Sequence, residues 1–156
     1  MRIIATIFAL LLFSFHAAAE ECPPTPEGVK RAIENHIKKL RADEYCKART
    51  VKTEGNVTIA IYTAEGACEG FSKKAKAGTC SSNWVRYMVG SINGKVIGPI
   101  KVGGKGDLTD SGMNITDSTV ELTGLTLGPS DPLCCPSVPK TKNFKFSQSG
   151  FSESKP

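Results

Sequence analysis

The sequence predicts an α+β fold in which one N-terminal amphipathic helix packs on a mostly antiparallel β-meander stabilised by disulfides. Three observations lead there. Apolar residues recur at helical spacing between Val29 and Leu40, the period changes to two from Val57 onward, and all six cysteines lie beyond the hydrophobic N-terminus.

The first element is not part of the fold. Met1-Arg2 precedes the apolar run Ile3–Phe13, which is too short to span a bilayer. Ala17-Ala18-Ala19 then presents an A-x-A site before the polar Glu20-Glu21. Residues 1–19 therefore read as a signal peptide, 20–147 as a single disulfide-stapled domain and 148–156 as a flexible, Gly/Ser-rich tail. A lipoprotein signal needs small residues directly before a cysteine, whereas Cys22 follows two glutamates. The expected product is periplasmic or secreted, with no stable membrane insertion after cleavage.

Loss of Arg2 leaves 19 basic against 15 acidic side chains. That excess is diffuse, spread over Lys38-Lys39-x-Arg41, Lys73-Lys74-x-Lys76 and isolated lysines. Nucleic-acid binding normally shows a basic patch with stacking aromatics, so no nucleic-acid partner is expected.

Thr25, Pro26 and Glu27 form a helix entrance: a cap, a proline suited to the first position and a charge that complements the helix dipole. Val29, Ile33, Ile37 and Leu40 supply the apolar stripe of a helix of about 15–20 residues. Val57, Ile59 and Ile61 alternate with Thr58, Ala60 and Tyr62, the pattern of a half-buried strand. The Gly-, Lys- and Ser-rich stretch from Ala64 to Ser82 reads as a loop tied at its base by Cys68 and Cys80.

Asn93-Gly94 is the strongest local signal, because a type I′ turn needs positive φ at both central positions. Regular pairing across it sets Ser91 opposite Val96, Val89 opposite Gly98, Tyr87 opposite Ile100 and Val85 opposite Val102. One face then carries Val85, Tyr87, Val89, Val96, Ile100 and Val102; the other mixes Trp84, Arg86, Met88, Ile97, Pro99 and Lys101. A second hairpin at Asp117-Ser118 pairs Ile115 with Val120 and Met113 with Leu122. Phe144-Lys145-Phe146 supplies a last short strand, and strand order is expected to follow the chain.

Cys22, Cys46, Cys68, Cys80, Cys134 and Cys135 read as a disulfide framework in an oxidising compartment. Adjacent Cys134 and Cys135 bond each other only through an eight-membered ring, so separate partners are the expectation for them. Pairing Cys68 with Cys80 then leaves Cys22 and Cys46 for the adjacent pair. A helix of about 16 residues holds its ends roughly 24 Å apart, more than the roughly 15 Å that bridges to neighbouring residues span. The connectivity stays open. No Cys-x-x-Cys occurs, and neither a metal nor a cofactor is expected.

Catalytic signatures are sparse. After cleavage His36 is the sole histidine, placed mid-helix, and no Gly-x-Ser-x-Gly elbow exists. Asp107, Asp110, Asp117 and Asp131 lie in turn-like contexts, where aspartate bonds its local backbone. Gly103-Gly104-Lys105-Gly106-Asp107 misses the phosphate-loop spacing and reads as a glycine turn.

Asp131-Pro132-Leu133-Cys134-Cys135-Pro136-Ser137, arriving after short strands and before Phe144-Lys145-Phe146, resembles a pattern in small exported bacterial proteins, including the LppP/LprE-type lipoproteins. The resemblance implies an envelope-located domain and carries no reaction or active site. The lipobox of such lipoproteins is missing here.

The function expected is therefore a non-enzymatic binding or interaction module with another envelope or secreted protein as partner. Trp84, Arg86 and Met88 are its candidate contacts, since aromatics and arginine anchor interfaces. The competing reading lays Trp84 and Met88 beneath the helix and moves the partner site to the loop from Ala64 to Ser82. An inhibitor or immunity protein against a toxin or wall-degrading enzyme is the sharper version. An acid-pair hydrolase of envelope polymers, using Asp107, Asp110 and Asp131, is the enzymatic alternative.

Overall fold

The structure is a computed structural model that describes residues 21–68, 80, 82–109 and 112–154. The signal-peptide assignment, Asp110 and most of the loop between Cys68 and Cys80 lie outside the described residues. One helix and two antiparallel sheets make up the fold.

Helix α1 spans Glu27–Leu40 and buries Val29 and Ile33, one turn apart on the same stripe. Its N-cap is Pro26, with no side-chain cap. Thr25, expected as the cap, turns its hydroxyl to Pro23 O and accepts a 2.8 Å bond from Arg49 Nη1. The helix ends at Arg41 in the left-handed region, φ 54°, with Ala42 N bonded to Ile37 O and Arg41 N to Lys38 O. These two bonds close the last carbonyls in a Schellman motif.

The first sheet contains β1 (Asp43–Glu44), β2 (Thr50–Glu54), β3 (Val57–Glu65), β4 (Trp84–Ile92) and β5 (Lys95–Gly104). Its order is β1-β3-β4-β5, and β2 shares with β1 the edge of β3 that faces away from β4. A second sheet of four strands, β6 (Gly112–Thr116), β7 (Thr119–Thr126), β8 (Val138–Ser147) and β9 (Gly150–Ser154), runs in strict chain order. The chain leaves the first sheet at Gly103-Gly104-Lys105-Gly106, where Gly104 bridges Asp107 and Gly106 adopts φ 78°. That positive φ is what favours glycine at this turn; a Cβ there would also meet the end of the Leu127 side chain at 2.6 Å.

Both faces of the first sheet are covered. Ala60, Tyr62, Ala64, Val85, Tyr87 and Val89 pack with Val29 and Ile33 of α1. On the opposite face Ile59, Ile61, Met88, Ile97 and Val102 meet Leu108, Val120, Leu122, Phe144 and Phe146. Strand β3 is thus buried from Thr58 to Ala64 without alternation, where its sequence pattern predicts a half-buried strand. The sequence does not reveal the second layer, because Thr58, Ala60 and Tyr62 read as the solvent side until a helix is laid on them.

Asn93 and Gly94 take φ 52° and 80°, as a type I′ turn requires, and Ser91 pairs with Val96 as expected. The register then departs from regular pairing. Met88 faces Ile100 and Arg86 faces Gly103, with irregularities between Met88 and Gly90 and between Arg86 and Tyr87. Each extra residue on β5 reverses the parity of the residues beyond it. Ile100 and Val102, expected on the face of Val85, Tyr87 and Val89, therefore pack between the sheets. The hairpin at Asp117-Ser118 keeps its predicted register, with Ile115 opposite Val120 and Met113 opposite Leu122.

The expected flexible tail is corrected as far as Ser154. Residues 150–154 form β9, paired to β8 with Phe146 opposite Phe151. The Phe151 ring lies over Gly90 and Gly98, where an added Cβ would come within 3.1 Å of it at either glycine. Two glycines on the first sheet thus make the recess that orders a polar-looking terminus.

The disulfides join Cys22 to Cys46, Cys68 to Cys80, and Cys134 to Cys135. Separate partners for the adjacent cysteines are thereby corrected. The helix-length obstacle disappears because the chain beyond Leu40 doubles back: six residues cover about 20 Å, enough to return Cys46 to the start of the helix, 5.2 Å from Cys22 between Cα atoms. Arg49 fixes this return, donating two 2.8 Å bonds to the Glu44 carboxylate and one to Thr25.

Replacing Phe144 by alanine is expected to cost about 3–5 kcal/mol in urea unfolding. Phe151→Ala should cost roughly 2 kcal/mol because its ring is only half-buried, and it should accelerate amide exchange in β9 selectively. Replacing Cys22 and Cys46 together by serine should lower stability by about 3 kcal/mol, read from the same denaturation curves.

Candidate functional site

Strands β3 and β4 extend past the cover of the second sheet, and the residues on this overhang form the candidate site. Thr63 pairs with Arg86 and Glu65 with Trp84, all four on the face that carries Ile61 and Met88 further along. Tyr45 and Ala48, from the segment that returns along the helix, close one side, and Thr109 closes another. The result is an open depression of about 200 Å³.

Its chemistry is mixed. Tyr45 is 50% exposed and Trp84 is half-buried, so two aromatic side chains remain partly in water. Arg86, in the same lining, is 7% exposed, with Nη1 donating 2.9 Å to Thr109 O. Glu65 is exposed at the rim. A buried arginine and two part-exposed aromatic side chains lining one depression suit an apolar side chain with a polar neighbour.

Of the three contacts predicted from sequence, Trp84 and Arg86 belong to this depression. Met88 does not: it is fully buried between the sheets. The competing placement of Trp84 and Met88 beneath the helix also fails, since α1 covers the face of Val85, Tyr87 and Val89. Tyr45, Thr63 and Thr109 carry no periodic signal in the sequence. Tyr45 arrives only through the return that brings Cys46 to Cys22.

Three further candidates, His36, Asp107 and Asp131, have structural partners. His36 is half-buried, with Nδ1 2.7 Å from Tyr62 Oη and its ring edge-on to Tyr87 at 4.6 Å between centroids. This group lies on the helix side of the sheet, opposite the depression. Burial, with Glu44 nearby, pushes the Tyr62 hydroxyl well above its ordinary pKa. Asp117 takes φ 52° in the second hairpin turn.

Asp107 receives Lys140 at 2.6 Å and Lys142 at 2.7 Å. Partial burial acts to raise its pKa, but the two lysine hydrogen bonds and charges outweigh this and hold it below the usual carboxylate value. Asp131 accepts 2.8 Å bonds from Gly128 N and Ser137 N and a 2.9 Å bond from Ser137 Oγ. The Gly128 bond, followed by those from Ser137, lowers its pKa as well. Both are kept as carboxylates by their own donors, whereas an acid-pair hydrolase needs one of them protonated near neutrality. Among the described residues no cluster of three metal-ligating side chains occurs.

The two lowered carboxylates set an acid limit. Stability from Asp107 is complete above its unfolded pKa, about 3.9, and is lost as pH falls through the depressed folded value. Between pH of about 5 and 2 the urea midpoint should therefore fall, and Asp107→Asn should flatten that fall while lowering the midpoint at neutral pH. Comparison with protein-family models, curated proteins and solved structures finds no match to the chain, so the site rests on its own geometry.

Proposed function

We propose that the chain is exported to the periplasm or beyond the cell and serves there as a non-enzymatic module that binds another envelope or secreted protein. Export is supported by the leader-like residues 1–19 and by six cysteines joined in three pairs, which an oxidising compartment sustains. No helix among the described residues is long and apolar enough to cross a membrane. The likeness of residues 131–137 to exported lipoprotein-type sequences points to the same compartment. In the processed chain α1 is the N-terminal element, an amphipathic cover for the first sheet.

The observation that carries the binding assignment is the depression at the uncovered end of β3 and β4. Its aromatic pair, Tyr45 and Trp84, offers an anchor position for an apolar side chain of the partner, with Arg86 and Glu65 supplying polar specificity. The aromatics are held by the Cys22–Cys46 return and by cross-strand pairing, so little conformational freedom is lost on binding.

Trp84 is the only tryptophan in the chain, which makes its fluorescence a direct reporter of this site. A partner recovered from periplasmic extract and then purified should shift that emission on titration. Trp84→Ala and Tyr45→Ala should each weaken its binding, measured calorimetrically, by roughly tenfold or more. Undiminished affinity in the double variant rejects this surface as the contact.

A further inference from the structure

We propose that the Cys134–Cys135 bond is a dithiol–disulfide exchange site, a two-electron acceptor for a small or protein-borne dithiol, distinct in role from the other two bridges. The first ground is what the bond ties together. Cys22–Cys46 closes 24 residues and Cys68–Cys80 closes 12, but Cys134–Cys135 joins neighbours in the chain. A bridge stabilises largely by removing conformational freedom from the unfolded chain, increasingly so for a longer closed loop. One between adjacent residues removes almost none, so opening it takes little from the fold.

The second ground is access. Cys134 and Cys135 are both exposed, whereas each other bridge has a covered member: Cys22 is exposed but its partner Cys46 is half-buried, and half-buried Cys68 is joined to buried Cys80. Leu133, beside the pair, is 72% exposed, so this loop between β7 and β8 presents both cysteines at the surface. Exposed disulfides are the ones that exchange.

The third ground is that the loop has its own scaffold. Asp131 ties Gly128 to Ser137 across its base, and Cys135 N bonds to Pro132 O at 2.9 Å within it. Below that clasp, Thr126 pairs with Val138 at the head of the β7–β8 ladder. None of these contacts uses a sulfur atom, so the reduced loop keeps its frame and holds the two thiols side by side for reclosure.

Exchange takes place in two balanced displacements. A thiolate of the dithiol attacks one sulfur of the pair; the Cys134–Cys135 bond breaks and a mixed disulfide forms while the other cysteine leaves as thiolate. The second thiol of the dithiol then displaces the mixed bond. The dithiol ends as a disulfide, and two electrons and two protons reside on Cys134 and Cys135. An oxidised disulfide carrier reverses the sequence.

The test uses the folded, processed protein equilibrated in graded ratios of reduced to oxidised dithiothreitol, quenched with iodoacetamide and mapped by peptide mass. Cys134 and Cys135 should be alkylated together at a ratio at least about tenfold lower than either other pair requires. Circular dichroism should stay unchanged across that step. The double variant C134S/C135S should lose the low-ratio step and keep its urea midpoint. Opening together with or after another pair, or a midpoint that drops sharply in the double variant, would overturn the proposal.

Discussion

Burial of the first sheet on both faces is the constraint on which the rest of the molecule depends. Strand β3 has no solvent side over the seven residues from Thr58 to Ala64, and β4 none from Val85 to Gly90. A strand so placed needs two covers, and the chain supplies α1 ahead of the sheet in sequence and the four-strand meander after it. Small Ala60 and Ala64 admit the helix, while branched and aromatic residues fill the space between the sheets. The candidate site is the place where one of these covers stops, so that the Glu65–Trp84 pair, next along from the buried Thr63–Arg86 pair, meets water.

The three disulfides do different physical work around this core. Cys22–Cys46 fastens the approach to the helix against the segment that returns along it, and the Arg49–Glu44–Thr25 network occupies the same junction. That segment carries Tyr45 to the rim of the depression. Cys68–Cys80 closes the excursion between β3 and β4 at its base, leaving their pairing intact up to Glu65 and Trp84. Cys134–Cys135 secures no distant parts of the chain, and a loop already held by Asp131 presents it outward. The two bridges with a covered member close loops of the chain, whereas the fully exposed pair closes none.

Charged side chains obey the same division between interior and surface. Arg86 and Arg49 are buried with their hydrogen-bond acceptors, and Asp107 gathers two lysines beside the crossing between sheets. These groups fix positions: Asp107 joins the glycine turn to β8, and Asp131 closes its loop. The carboxylates of these two are committed to donors, so Asp107 and Asp131 serve as fasteners.

Local chemistry in the sequence determined the helix, both tight hairpins, the even set of cysteines and two of the residues at the depression. Each of these depends on neighbours within a few positions: a 3.6 or 2 period, or a residue pair able to take positive φ. Tertiary structure decided the rest. The bulges in β5, which send Ile100 and Val102 between the sheets, arise from packing on both sides and leave no mark in the hairpin's own pattern. Met88 moved from candidate contact to core because a second sheet covers it, and the terminus became a strand because Gly90 and Gly98 make room for Phe151. Tyr45 joined Trp84 only through the folding back of the chain beyond the helix. Periodicity records which side of an element is apolar, but what covers that side, and where the cover ends, depends on residues far away in the chain.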